Sequence, residues 1–404
     1  MRDMLVVGAG YVGLSAAVAV KQAAPHLDIV VVEAAPAGVW QKDMRASAII
    51  AAATRMLEVF GIWDEIEPEA QPITKMIVTD SKTADPVRPV FLTFDGEVED
   101  GRPFAHMISN VTLVRALRGA CERLGIEIRH GFSATGLSVE DTHATVTASD
   151  GSVLEARLVV ACDGVRSHLR DLAGIKTVSW DYGQSGIVTT VEHERPHHGC
   201  AEEHFLPSGP FAILPLKGNR SSLVWTEPTP EANRLVTSDD LIFEEELERR
   251  FGHKLGTLRT VGDKRAFPLG LTLARAFVAP RVALAGDAAH GIHPISGQGL
   301  NLGFKDVAAL AETVVEADRL GLDIGSINIL ERYQAWRRFD TFRMGVTTDV
   351  LNRLFSNDLA PLRIARDFGL GVVDRLPSLK SFFIGQAAGT TAKDNPRLLA
   401  GQTI

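Results

Sequence analysis

Two short stretches of this 404-residue chain hold residues able to do chemistry. Residues 4–20 read MLVVGAGYVGLSAAVAV and carry Gly8, Gly10 and Gly13 in the pattern G-x-G-x-x-G. Residues 286–299 read GDAAHGIHPISGQG and carry Asp287, His290 and His293 among glycines. Metal ligation and acid–base work both suggest themselves for the second stretch, and spacing decides against the metal. His290 and His293 stand three apart across a Gly/Pro loop, not on a helix that would aim both at one point, and no nearby cysteine or acid cluster completes a shell. A strand-end aspartate ahead of a glycine-rich helix start suits a polyol chain and an electron-rich ring instead. The carboxylate of Asp287 accepts from a hydroxyl, and the helix N-terminus stabilises negative charge. His290 is then expected to be structural, satisfied by loop carbonyls, and His293 similar.

The glycine stretch suits an anion. Gly8 permits a sharp turn, Gly10 lets the backbone approach a pyrophosphate, and Gly13 lets the helix lie close to its strand. The run DIVVVEAAP then ends a second strand at Glu33, about 20 residues beyond the last glycine, where an acid hydrogen-bonds a ribose 2′-OH. The same carboxylate repels a 2′-phosphate, which disfavours NADP and leaves NAD and the ADP half of FAD.

These residues need elements to hold them. Met4 to Val7 is short and wholly apolar, as a strand buried on both faces should be. Val282 to Ala285 repeats that pattern before Gly286, and a helix opens around Gln298 to Asn301 and continues through Val307, Leu310 and Val314 at helical spacing. Between the two stretches, SGIVTTVEH, FAILPL and SSLVWTE are β-rich runs separated by turn signals, and the earlier run ITKMIVTD has the same character.

Composition removes other classes. A net charge of −8 argues against nucleic acid as a partner, because phosphate binding needs a concentrated basic face. Cys121, Cys162 and Cys200 are too few and too far apart for a disulfide framework or a zinc motif, and point to a reducing compartment. No signal peptide and no apolar run of about 18 residues is visible, so a cytoplasmic protein is expected, with contact at the membrane surface left open.

The chain resembles the class A FAD-dependent aromatic monooxygenases and, within them, the hydroxylases of ubiquinone biosynthesis. Three landmarks carry this: Gly8 to Gly13 with Glu33; VVACDGVRSHLR, through Asp163, Gly164, Ser167 and Arg170; and GDAAHGIHPISGQGLNLGFKD, whose His-Pro-x-x-Gly-Gln-Gly-x-Asn core is typical of the ubiquinone branch. DMRASAI, FGIWDEI, ISNVTLVRAL, HFLPSGPFAILPL and YQAWRRFD are weaker matches, so the resemblance covers nearly the whole chain. Ser296 stands where alanine is common.

The resemblance implies an α/β (mixed α+β) fold. A Rossmann-like FAD-binding domain (1–75, 100–178 and 275–345) would be interleaved with a β-sheet substrate domain (76–99 and 179–274), ahead of a helical C-terminal region (346–404). It implies FAD held by Gly8, Gly10, Gly13, Glu33, Arg45, Asn110, Asp163, Gly286, Asp287, Pro294, Gly297, Gly299, Leu300 and Asn301. Asn110 reads equally as the N-cap of the helix VTLVRALRGACERLG. Asp163 would lie near the pyrophosphate, and reads otherwise as a strand-end turn residue before Gly164. The apolar run offers Phe205, Leu206, Phe211, Ile213 and Leu214 for a substrate pocket, about half of them facing it, since side chains alternate along a strand.

The implied reaction is hydroxylation of a polyprenylated phenol with dioxygen through a flavin hydroperoxide. The cofactor carries the chemistry, so no nucleophile, metal or triad is required. A base for the phenol is not evident; Tyr182 is a weak candidate. No second nucleotide-binding motif is present, so NAD(P)H would bind transiently or a protein donor would replace it. A lipophilic substrate implies contact with the inner membrane or a quinone-biosynthesis complex. The basic amphipathic run from Val350 to Gly385, with Arg353, Arg363, Arg366, Arg375 and Lys380, suits a membrane surface, or docking on the FAD domain or a partner. Alternatives are a class A hydroxylase of another soluble aromatic and a catalytically idle flavoprotein assembly component. A flavin halogenase is disfavoured by the missing Trp-x-Trp-x-Ile-Pro pattern.

Overall fold

Four strands that run parallel and side by side explain how distant motifs meet. In chain order the elements that matter are β1 (Arg2–Val7), α1 (Tyr11–Ala23), β2 (Ile29–Glu33), β3 (Ala46–Ile50), α2 (Asn110–Arg123), β4 (Val153–Ala161), β5 (Thr177–His193), β6 (Cys200–Leu206), β7 (Gly209–Leu216), β8 (Arg220–Pro228), α3 (Thr229–Thr237), α4 (Asp240–Phe251), β9 (Arg265–Ala274), β10 (Val282–Leu284), α5 (Gln298–Arg319) and α6 (Ile327–Phe355). They come from a computed structural model that describes residues 1–80, 90–95, 97–98, 101–292, 298–355 and 395–404.

The first sheet places β2, β1, β4 and β10 side by side and parallel, with the strand Glu127–His130 beyond β2. Val7 lies level with Val32 on one side and Ala161 on the other, and Ala161 is level with Leu284. Because the strands are in register, the glycine turn, Glu33, Asp163 and Gly286–Asp287 all leave the sheet at its carboxyl edge, where ligands of open α/β sheets bind. Adjacent strands are about 4.8 Å apart, so residues far apart in sequence become neighbours. The strands are buried Val, Ile and Leu, as two covered faces demand. Helix α1, buried continuously from Val12 to Val20, packs against both α2 and α5.

Among the described residues the second sheet has nine strands. Its main path runs from His290–Gly291 through β9, β5, β8, β7 and β6 to Lys75–Asp80 and Val90–Asp95. It therefore recruits a segment before α2 and a longer one after β4. A small sheet of β3, Ala105–Ser109 and Gln71–Ile73 lies alongside, sharing an apolar cluster with Leu214, Leu216 and Ala201.

Alternation along β7 sorts the expected pocket residues. Phe211 and Ile213 sit in a core with Trp225, Phe243, Leu247 and Phe251 under α3 and α4, and Leu206 joins them. Leu206, Phe211 and Ile213 are thus the half of the five expected residues that lie in a core. They are the anchors of the helical cover, because neighbouring residues of a strand face opposite sides. Leu214 lies on the other face with Ala46, Ala48 and Met76, and Phe205 alternates with His204, whose ring stacks on Phe211.

Of the C-terminal region, residues 346–355 continue α6. Residues 356–394, which hold most of the basic amphipathic run, lie outside the described residues. The last ten return to the main core: Leu398 and Leu399 are buried, Arg397 N–H donates to Glu312, and Arg319 donates to the Ile404 carbonyl.

Candidate functional site

The glycine turn is held from three directions. Gly8 N–H donates to the Val32 carbonyl, Cys162 N–H donates to the Val7 carbonyl, and Glu33 Oε2 accepts the Ala9 N–H at 2.8 Å. Gly8 has φ +108°, and a Cβ there would stand 2.3 Å from the Cys162 carbonyl oxygen. A Cβ on Gly13 would stand 1.9 Å from the Gly8 oxygen. Gly10 differs: a Cβ there meets nothing within 4 Å and projects toward an open cavity of about 310 Å³. The turn is thus packed tightly behind and left open in front, the shape that suits a pyrophosphate against backbone amides at the start of α1.

The cavity follows the carboxyl edge of the sheet. Glu33, Trp40, Arg118 and His130 wall the β2 end, and Asp287, Gly299 and Leu300 the β10 end. Glu33 lines it with a carboxylate whose Oε1 also accepts the Ala35 N–H, so this side chain shapes the turn as well as facing the hollow. Asp287 lines the cavity and is exposed to it. Burial pushes its carboxyl up from the ordinary value, against the pull of His290 and Arg45. Tyr11 shares the wall; burial, and then the Asp287 carboxylate, push its phenol up to about 12. Cys162 also lines the cavity, with burial pushing its thiol up and favouring the neutral form.

Arg45 and Asn110 both line the cavity, tied through a residue that sequence reasoning missed. Asp43 accepts Arg45 Nε and Nη2, each at 2.8 Å, and Asn110 Nδ2 at 3.0 Å. Burial works against the Asp43 charge, but these hydrogen bonds hold its carboxyl below the usual range. The N-cap of α2 is Ser109, which accepts the Thr112 N–H, so Asn110 is not the cap. Its Oδ1 accepts Ser47 Oγ instead and locks β3 to α2. The Arg45 guanidinium also lies over the Phe267 ring at 5.6 Å, linking the loop to β9 of the second sheet.

Asp163 serves as the turn residue at the end of β4, and its neighbours Cys162 and Gly164 line the cavity. Oδ2 accepts the Leu169 N–H at the start of the next short helix, while Oδ1 is buried without a partner among the described residues. Arg170, from the same motif, donates to the Ala288 carbonyl and so ties the Asp163 segment to the Gly286 turn. Gly286, at φ +64°, lets Val12 of α1 pack against it, and Gly303 of α5 closes on the same valine. Asn301 ties the start of α5 to β3, its amide accepting the Ile50 N–H and donating to the Ala48 carbonyl.

His290 departs from expectation. Its partner is not a loop carbonyl but Asp306 of α5, Nε2 to Oδ2 at 2.5 Å, and both are fully buried. No sequence signal short of the α5 register would have paired them. Tyr182 sits at the irregularity of β5 between Asp181 and Gln184 and does not border the described cavity. His293, Pro294 and Gly297 lie outside the described residues. Trp40, Arg118 and His130 were also missed. Arg118 meets His130 Nε2 at 2.9 Å and covers Trp40 at 5.5 Å, an arrangement only the fold brings together. Among the described residues no group of three or more His, Cys, Asp or Glu is placed to hold a metal, and no helix is long and apolar enough to cross a membrane.

Comparison with known proteins matches this architecture. Residues 1–338 match a family model described as an FAD binding domain. The chain is 44% identical to ubiquinone hydroxylase UbiL of Rhodospirillum rubrum over 99% of its length and 92% of that protein. It is 33% identical to 3-demethoxyubiquinol 3-hydroxylase of Escherichia coli over 96% and 98%. The p-nitrophenol 4-monooxygenase PnpA of Pseudomonas putida has the same fold, with a TM-score of 0.79 at 20% identity, covering 97% of this chain and 99% of that one.

Proposed function

Because the chain belongs to the FAD-binding-domain monooxygenases, and among them to the hydroxylases of ubiquinone biosynthesis, we propose that it hydroxylates the aromatic ring of a polyprenylated phenol on the way to ubiquinone. It is an FAD-dependent oxidoreductase that uses dioxygen, and its substrate is a lipophilic quinone precursor. The observation that carries the reading is the convergence of the Gly10 turn, Glu33, Gly164 and Asp287 on one cavity along the carboxyl edge of the sheet. When bound, FAD supplies the oxygen chemistry. The chain's residues then bind, orient and exclude water. The Gly10 turn and α1 amides take the pyrophosphate, Glu33 takes the adenosine ribose, and Asp287 accepts from the polyol chain. Arg45, Asn110, Asp163, Gly299 and Leu300 complete the cofactor wall, and Pro294 and Gly297 belong to the same motif.

The substrate lies against the face of the second sheet that carries Phe205, Ala212 and Leu214, opposite the α3/α4 cover. On this reading residues 1–75, 100–178 and 275–345 form the cofactor domain, and 76–99 with 179–274 the substrate domain. NAD(P)H or a protein donor supplies electrons. A lipophilic substrate calls for contact with a membrane surface or a quinone-biosynthesis complex, and the basic run from Arg363 to Lys380 is the segment proposed for it. Liposome flotation tests that part: replacing Arg363, Arg366, Arg375 and Lys380 by Gln abolishes flotation, and unchanged flotation removes the assignment.

The reaction is tested by deleting the gene in its host and analysing accumulated quinone precursors by mass. A precursor lacking one ring oxygen, restored to normal by the gene in trans, is the expected result. Normal quinone levels would refute it. Purified protein should also be yellow, with stoichiometric FAD released on denaturation.

A further inference from the structure

Behind the Gly286–Asp287 turn lies a set of buried charges that binding, as described above, does not use. Asp306, in the third turn of α5, sits at its centre. Oδ2 accepts the Gly286 N–H at 3.0 Å and meets His290 Nε2 at 2.5 Å, while Oδ1 accepts Arg337 Nε at 2.8 Å. His290 and Asp306 are 0% exposed and Arg337, from α6, is 4% exposed. Three separate segments, the turn, α5 and α6, therefore meet on one carboxylate.

Stability alone is a poor reason for such a set. Charges this deep lose their hydration, and well-packed apolar side chains of similar volume commonly serve stability as well or better. What an apolar side chain cannot do is accept the Gly286 N–H. Gly286 has no side chain to be gripped, and Val12 presses on it from α1. Its carbonyl is taken by the Ala289 N–H, and Ala288 is held by Arg170. The Gly286 N–H, on the peptide from Ala285, is the remaining handle on the turn just ahead of Asp287. A carboxylate gripped by His290 on one oxygen and Arg337 on the other is fixed in rotation, and fixes that handle in turn.

We propose that Asp306, locked by His290 and Arg337, is a positioning residue that aims Asp287 at the polyol chain of the cofactor. This rests on the assignment of Asp287 made above. Losing the Gly286 bond leaves the fold standing but loosens the aim of the carboxylate, and affinity for the cofactor falls.

The test separates position from stability. Asp306→Leu, His290→Leu and Arg337→Met are combined so that no charge is left stranded. Apoprotein melting and FAD affinity, by quenching of flavin fluorescence, are measured beside Asp287→Asn. The expected result is parent-like apoprotein melting with FAD bound about tenfold or more weakly in both proteins, the loss of one hydrogen bond to a charged group. Parent-like FAD affinity in the triple variant, with loss in Asp287→Asn, overturns the positioning role and leaves the Asp287 assignment standing. Parent-like affinity in Asp287→Asn overturns that assignment and the inference with it. If the triple variant does not fold, His290→Ala and His290→Gln decide. A loss of affinity with Ala that Gln repairs carries the inference, while parent-like affinity with Ala or equal loss in both overturns it.

Discussion

Glu33 Oε2 accepts the N–H of Ala9 at 2.8 Å, so the end of β2 grips the glycine turn at the end of β1. The second carboxylate oxygen holds the Ala35 N–H at 2.9 Å. A residue expected to meet a ribose thus also sets the shape of the surface the pyrophosphate meets. Glu33→Ala removes both bonds at once, each about 1.5–3 kcal/mol for a charged acceptor. FAD affinity is expected to fall by more than the tenfold of a single lost ribose contact, and Glu33→Gln, which keeps one acceptor, should lose less. Fluorescence titration of the apoproteins measures both; equal losses would mean that the Ala9 bond contributes nothing.

The glycines of the turn should separate cleanly. Gly13→Ala puts a Cβ 1.9 Å from the Gly8 oxygen, a clash with backbone that has nowhere to move. That protein is expected to be insoluble or to melt far below the parent. Gly10→Ala puts a Cβ into open space, so the apoprotein should melt within about 1 °C of the parent, a surface-like change of under ~0.5 kcal/mol. Its FAD binding should be lost. An apo Gly10→Ala protein that binds FAD normally would show that the open front of the turn is not the cofactor's seat.

Neighbouring residues of β7 should give opposite phenotypes. Phe211 is fully buried against Trp225 at 6.0 Å in the core under α3 and α4. Phe211→Ala should cost about 3–5 kcal/mol in denaturant unfolding with little change in substrate KM. Ala212 faces the other way and is only half-buried. Ala212→Phe should leave stability nearly intact and raise the KM for a prenylated phenol several-fold. A stability loss confined to Ala212→Phe would reverse the two faces.

Stability should fall in mild acid for a reason outside the cofactor site. Burial lowers His106 from its ordinary value to about 4; its ring stands edge-on to Trp63 at 5.0 Å, and Nδ1 is buried without a partner among the described residues. The folded chain then holds this histidine neutral where the unfolded chain protonates it. Unfolding takes up a proton between about pH 6.5 and 4, so stability declines across that window and levels off below it, by about 2–3 kcal/mol in all. Urea unfolding of His106→Phe from pH 7 to 4 should lack that slope. A slope equal to the parent's would assign the acid loss to other groups.

The sequence by itself determined the fold class, the cofactor family and three of the segments that line the cavity. It could do so because the demands are local. A turn that must pass under a pyrophosphate needs glycine at fixed places, and a doubly covered strand must be apolar throughout, so both leave marks that can be read without coordinates. It also located Glu33 and Asp287, because each ends a recognisable strand.

Tertiary structure alone decided what depends on the meeting of separate elements. Whether Phe211 or Ala212 faces the core under α3 and α4 depends on strand register, where one residue reverses every side chain. That Asp43 joins Arg45 to Asn110, that Arg118 covers Trp40, and that His290 answers to Asp306 and Arg337 depends on how helices settle on sheets. Those partners lie tens to hundreds of residues apart, and a buried charge carries no mark in its own sequence of the group that will neutralise it.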